Sequence, residues 1–193
     1  MKFLIVVILL SFGEPFAQSQ VCELNPMFFC SFEIEPFLQS PPEDEDSLVH
    51  LCGLFVKYFR CMRTFATKCD KSEDYRPYKY IQDARNFVGG LCFEGSFLQQ
   101  DYLRFAKCYK NAMPEIRPCQ EKFDTDHDYY FSPYEVKDPE TIEDICKKHR
   151  ANVGCISEVI RMKCGGEAKH VFLRIVQLSK YLLVTCPKFD EVN

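Results

Sequence analysis

Two sets of residues in this chain have types and spacing that could do chemistry. The first is an acidic run. Asp124, Asp126 and Asp128 stand at alternate positions, followed by Tyr130, Ser132 and Glu135. In an EF-hand calcium loop those places are the first, third, fifth, seventh, ninth and twelfth. Tyr130 would offer its carbonyl, Ser132 a water-side contact and Glu135 a bidentate carboxylate. Phe131 fills the apolar eighth place. The departures are physical. The sixth place needs a sharp turn, and Tyr129 stands there instead of glycine. A left-handed backbone costs a non-glycine residue about 1–2 kcal/mol. No second loop of this kind is present to pair with it, and Asp138-Pro139 follows within a few residues. An acidic, solvated loop is the favoured reading of 124–135, and calcium is the alternative expectation.

The second set is the twelve cysteines. Cys52, Cys61, Cys69 and Cys92 are separated by eight, seven and twenty-two residues. Cys146, Cys155, Cys164 and Cys186 repeat that ruler with eight, eight and twenty-one. Two more cysteines precede each copy: Cys22 and Cys30 before the first, Cys108 and Cys119 before the second. An even, dense set behind a secretory leader implies disulfides formed in an oxidising compartment. Zinc is the rival use of cysteine. It fails on spacing, because the chain has no Cys-x-x-Cys and no histidine pair at ligand distance.

The leader is residues 1–19. Lys2 supplies the positive start, Phe3 to Phe12 the apolar run, and Ala17 and Ser19 the small residues of a cleavage site. The run is half of the ~20 apolar residues that a membrane anchor needs. No later stretch is long and apolar enough to span, so no membrane span is expected. The net charge of −4 gives no support for nucleic-acid binding. Residues 20–193 then read as one cysteine-rich helical domain of two modules, about 20–95 and 96–193.

Residues 20–46 hold Pro26, Pro36, Pro41 and Pro42, too many for a long helix, and predict an extended arm. From Asp46 or Ser47 to about Asp70, apolar residues recur at three- and four-residue steps: Leu48, Leu51, Cys52, Phe55, Phe59, Met62. Lys57, Arg60, Arg63 and Lys68 fall on the other side. Cys61 lies half a turn from Cys52 and should tie down something at the edge of the apolar face. A second helix follows Pro77, with Ala84, Arg85, Val88, Leu91 and Cys92 on one side, and Gly89-Gly90 weakens its end. A third begins at Ser96 with a capping-box pattern and is expected to stop before Pro114, leaving 114–138 as loop. Asp138-Pro139 opens a fourth helix. Cys164-Gly165-Gly166 ends it, and a fifth runs to Thr185.

The expected fold is all-α: disulfide-stapled helical hairpins in two tandem six-cysteine modules. Helices joined by a short loop lie antiparallel. Cys52 should then sit near Cys92, and Cys146 near Cys186, while Cys61 and Cys155 hold the arm of each module. Six cysteines alone allow fifteen pairings, so spacing does not fix the connectivity.

Catalytic signatures are missing. There is no Gly-x-Ser-x-Gly, no His-Glu-x-x-His and no phosphate-binding or dinucleotide loop. His149 falls on an apolar helix face and reads as a core histidine; His50 and His170 read as surface residues. Eighteen phenylalanines could line a lipid site, but a packed core is their commoner use.

The cysteine ruler, the Cys164-Gly165 step and the amphipathic run to Cys186 resemble a nematode family of secreted, cysteine-rich helical domains, catalogued as domain of unknown function number nineteen. The likeness spans roughly Cys22 to Cys186. It implies an extracellular protein and brings no catalytic residues with it. The function expected from the sequence is a secreted, disulfide-rich, non-catalytic binding or interaction protein, without a resident cofactor. Its partner would be an extracellular protein or a small apolar ligand. The alternative is a calcium-dependent extracellular module using the loop at 124–135.

Overall fold

The computed structural model describes residues 30, 33–34, 36–37, 40–69, 76–123 and 139–179. The leader, Cys22, Cys186 and the whole 124–135 loop lie outside them. The described residues form five helices and no strand: α1 (Glu45–Lys68), α2 (Arg76–Cys92), α3 (Phe97–Phe123), α4 (Pro139–Cys164) and α5 (Gly166–Ser179). The all-α class expected from the periodicity holds.

The start of α1 is set by a capping box. Asp44 accepts the Ser47 N–H at 2.9 Å, and the Ser47 hydroxyl reaches back to the Asp44 N–H at 3.2 Å. The cap is thus Asp44, two or three residues before the expected Asp46 or Ser47, because Ser47 serves as the third helical residue. The acids Glu45 and Asp46 fill the first turn, where the helix dipole favours them. Glu43 has a different task and pairs with Lys110 of α3 at 2.6 Å. At the start of α3 the Ser96 hydroxyl accepts the Gln99 N–H at 3.1 Å, as its capping pattern predicts. The Gln99 side chain reaches back to the Gly95 N–H at 2.7 Å, one residue earlier than in a standard box.

The expected end of α3 before Pro114 is incorrect. The helix continues through Pro114 and Pro118 to Phe123. A proline costs a helix one N–H bond and a clash with the carbonyl four residues back. Here the two prolines are four apart and both exposed, so the damage is confined to one solvent-facing strip. The opposite strip buries Ala112, Ile116 and Cys119. Packing and the Cys119–Cys155 bridge carry the helix past its two breakers.

α3 is the spine of the molecule. Leu98, Tyr102, Ala106, Tyr109, Ala112 and Ile116 form one buried stripe. They share a core with Leu48 of α1, Leu91 of α2, Ile160 of α4 and Ala168 of α5. Ala106 and Ala168 are wholly buried, and their small side chains let backbones approach. Two phenols fasten the spine. Tyr102 Oη donates to the Pro42 carbonyl at 2.6 Å, and Tyr109 Oη to the Ala168 carbonyl at 2.8 Å. Burial holds both phenols well above the usual tyrosine range. Gly165, at φ +91°, makes the single-residue link from α4 to α5.

The arm before α1 is less extended than expected. Cys30 and Pro36–Phe37 are helical, and the Phe37 N–H donates to the Ile34 carbonyl at 2.9 Å. Ile34 packs with Leu51 and Leu54, and Cys30 with Met62, so the arm covers one side of α1.

Four disulfides join described residues: Cys30–Cys61, Cys52–Cys92, Cys108–Cys164 and Cys119–Cys155. Each closes within one of the two six-cysteine runs. Cys61 straps the arm to α1, as its half-turn offset from Cys52 requires. Cys155 holds the far half of α3, so the strapped segment of the second run is a helix. Cys69 and Cys146 are also disulfide-bonded.

Candidate ligand-binding groove

α1 and α2 form an antiparallel hairpin whose open side is a groove. The direction follows from the bridge: Cys52, two turns into α1, is bonded to Cys92, the last residue of α2, with their Cα atoms 5.7 Å apart. Moving away from that bridge, the chain climbs α1 through Gly53, Val56, Phe59, Arg60 and Arg63. It returns toward the bridge along α2 through Arg85, Val88 and Gly89. These residues enclose about 650 Å³. Small-molecule sites commonly hold ~300–1,000 Å³ and mix apolar walls with a few placed polar groups.

The two glycines shape the groove. Gly53 and Gly89 are inside helices, have no positive φ, and a Cβ at either would meet nothing within 4 Å. A glycine in a helix interior costs about 1 kcal/mol relative to alanine. No close packing within the described residues accounts for that cost. Their effect is to leave the floor of the groove open. Val56 stands beside them with 58% of its surface exposed.

The far end is cationic. Arg60, Arg63 and Arg85 are all exposed, and among the described residues no carboxylate pairs with them. Elsewhere the basic residues are mostly matched. Lys57, which flanks the groove stripe on α1, reaches Glu33 at 2.8 Å. Lys163 pairs with Glu115, and Arg104 with Glu167. Lys169 and Arg161 both bind Glu158, whose carboxyl they pull down to about 2.

The residues expected to do chemistry are distributed differently. Cys52 and Cys92 close one end of the groove. Cys30, Cys61, Cys108, Cys119, Cys155 and Cys164 are structural bridges. Asp124, Asp126, Asp128, Tyr130, Ser132 and Glu135 lie outside the described residues. Among the residues described, no cluster of His, Cys, Asp and Glu has metal-binding geometry. His149 is buried as expected of a core histidine, and burial lowers its pKa.

Sequence reasoning missed the groove. It left Arg60 and Arg63 to solvent and Arg85 to the apolar side of α2. A signal was available: Val49, Gly53, Val56, Arg60 and Arg63 recur at four- and three-residue steps, so they form a second stripe on α1. Comparison with protein-family models, curated proteins and solved structures finds no match. The family resemblance therefore rests on the sequence features named above. Among the described residues no helix is long and apolar enough to cross a membrane. The disulfides fit maturation in an oxidising compartment.

Proposed function

We propose that this chain is a secreted, non-catalytic binding protein whose ligand site is the groove between α1 and α2. The observation that carries the reading is the groove itself: a space of about 650 Å³ with an apolar floor, clamped at one end by Cys52–Cys92, with three guanidinium groups at the other end that no carboxylate among the described residues pairs with. A covalent clamp holds the walls in place before binding, and preorganisation lowers the cost of ordering a site. The same size and shape favour a small molecule over a protein surface as occupant. Secretion is supported by the leader-like residues 1–19 and the disulfides.

The test is a fragment screen by NMR on the isotope-labelled, oxidised protein. Binders should perturb the amides of Gly53, Val56, Val88 and Gly89 together. A screen whose hits leave those amides unmoved would remove the groove as the ligand site.

A further inference from the structure

The groove is polar along its length, and in the same direction on both walls. On α1 the stripe Val49, Gly53, Val56, Arg60, Arg63 is apolar in its first half and cationic in its second. Val49, one turn before Gly53 on this stripe, is 60% exposed. On α2, which runs the other way, Cys92 and Val88 face the apolar half and Arg85 the cationic half. Cys52 to Arg63 spans eleven residues, about 16 Å at 1.5 Å per residue.

An occupant must match both ends at once. The apolar end offers Val56 and Val88 beside two open glycine positions, and Phe59 carries the apolar lining up to the arginines, which suits an unbranched hydrocarbon chain lying along the floor. The cationic end offers three guanidinium forks. Guanidinium meets carboxylate and phosphate-type oxygens with paired hydrogen bonds. A neutral hydrocarbon would leave the arginines unanswered. A simple anion would leave the apolar floor wet.

We infer that the groove binds a single-chain amphiphile with an anionic head, of the fatty-acid class. The chain lies over Gly53 and Gly89 toward the Cys52–Cys92 bridge, and the head sits on Arg60, Arg63 and Arg85. This identification of the ligand rests on the groove being the binding site, as proposed above.

The experiment titrates the full oxidised protein with dodecanoate, dodecanol and dodecyltrimethylammonium, all below their micelle concentrations, and with inorganic phosphate. Dodecanoate should bind at one site and roughly tenfold or more tighter than dodecanol, the worth of a charge-assisted hydrogen bond. The ammonium compound should bind weaker still, and phosphate should compete poorly. Arg60→Gln, Arg63→Gln and Arg85→Gln should each weaken dodecanoate several-fold and leave dodecanol unchanged. Gly89→Leu, which fills open space and favours the helix, should weaken both. Urea midpoints like the parent's establish that the variants fold. Equal affinity for the three amphiphiles, or phosphate competing as well as dodecanoate, overturns the inference. Fragments that occupy the groove while dodecanoate does not would overturn the ligand class and leave the binding reading standing. A groove that takes neither ends both.

Discussion

Cys52 and Cys92 bring the first turns of α1 and the last residue of α2 to a Cα separation of 5.7 Å, forty residues apart in sequence. This one bond fixes the direction of the hairpin and closes the groove. Closing a loop of that length in the unfolded chain is worth about 4 kcal/mol in the chain-entropy description. The double variant Cys52→Ala/Cys92→Ala should lose stability on that scale, read as a lower urea midpoint. It should also lose chain binding more than head-group binding, because the bridge stands at the apolar end.

The bridges also predict the pairing of the remaining cysteines. Numbering each six-cysteine run from one, the first run shows second to fourth and third to sixth. The second run shows first to fifth and second to fourth. The shared bridge is the same in both. Overlaid, the runs give a single plan of first to fifth, second to fourth and third to sixth. The plan assigns Cys69 to Cys22 and Cys146 to Cys186. Peptide mapping of the unreduced protein should find those two links. Cys69–Cys146 with Cys22–Cys186 would break the plan and the expectation of two modules.

Much of the fold was legible because periodicity and caps report local physics. Leu48, Leu51 and Met62 on α1, and Ala84, Val88 and Leu91 on α2, are buried where their spacing puts them. The antiparallel hairpin followed from one short connection and two cysteines. α3 was misread at Pro114 because a local breaker was weighed against local signals only. What overrides it is tertiary: the buried face of Ala112 and Ile116 and the bond from Cys119 to Cys155. The groove was illegible for a related reason. A stripe of Val49, Gly53, Val56, Arg60 and Arg63 has no meaning until a second helix presents Val88, Gly89 and Arg85 beside it.

Tyr102 and Tyr109 make similar hydrogen bonds with unequal consequences. The Pro42 carbonyl precedes α1 and belongs to no helical ladder, so its buried acceptor depends on Tyr102. The Ala168 carbonyl sits in the first turn of α5, where the helix supplies a second donor from four residues on. Tyr102→Phe should cost about 1–3 kcal/mol by orphaning an acceptor, and Tyr109→Phe less. The pH response has a definite sign. Both phenols titrate higher in the folded protein than at their ordinary value of 10.0. Their contribution is complete below pH ~10 and is lost as pH rises through and beyond it. Alkaline unfolding curves should flatten in each phenylalanine variant.

His149 gives the opposite slope. It is buried, and desolvation lowers its pKa from 6.5. The unfolded chain therefore binds a proton before the folded one does. Stability should fall as pH drops below about 6.5 and be level above it. His149→Leu should remove that part of the acid slope, whatever it does to stability at neutral pH. An unchanged slope in denaturant melts at pH 5 and 7.5 would show that the imidazole stays neutral for no stability cost.

Pro114 and Pro118 are the last anomaly with a measurable consequence. Each removes a helix hydrogen bond and presses on the carbonyl of Lys110 or Pro114. Both are exposed. Alanine at either place restores an N–H donor to the ladder and has the best helix propensity. Against that, proline restricts the unfolded chain, and its loss returns ~0.4–1 kcal/mol to the unfolded side. The balance favours alanine: Pro114→Ala and Pro118→Ala should each stabilise the protein by about 1–2 kcal/mol. Thermal melts of the oxidised variants check this. A loss of stability in either would mean that the proline sets a bend in α3 that Ile116 and Cys119 need in order to reach α4.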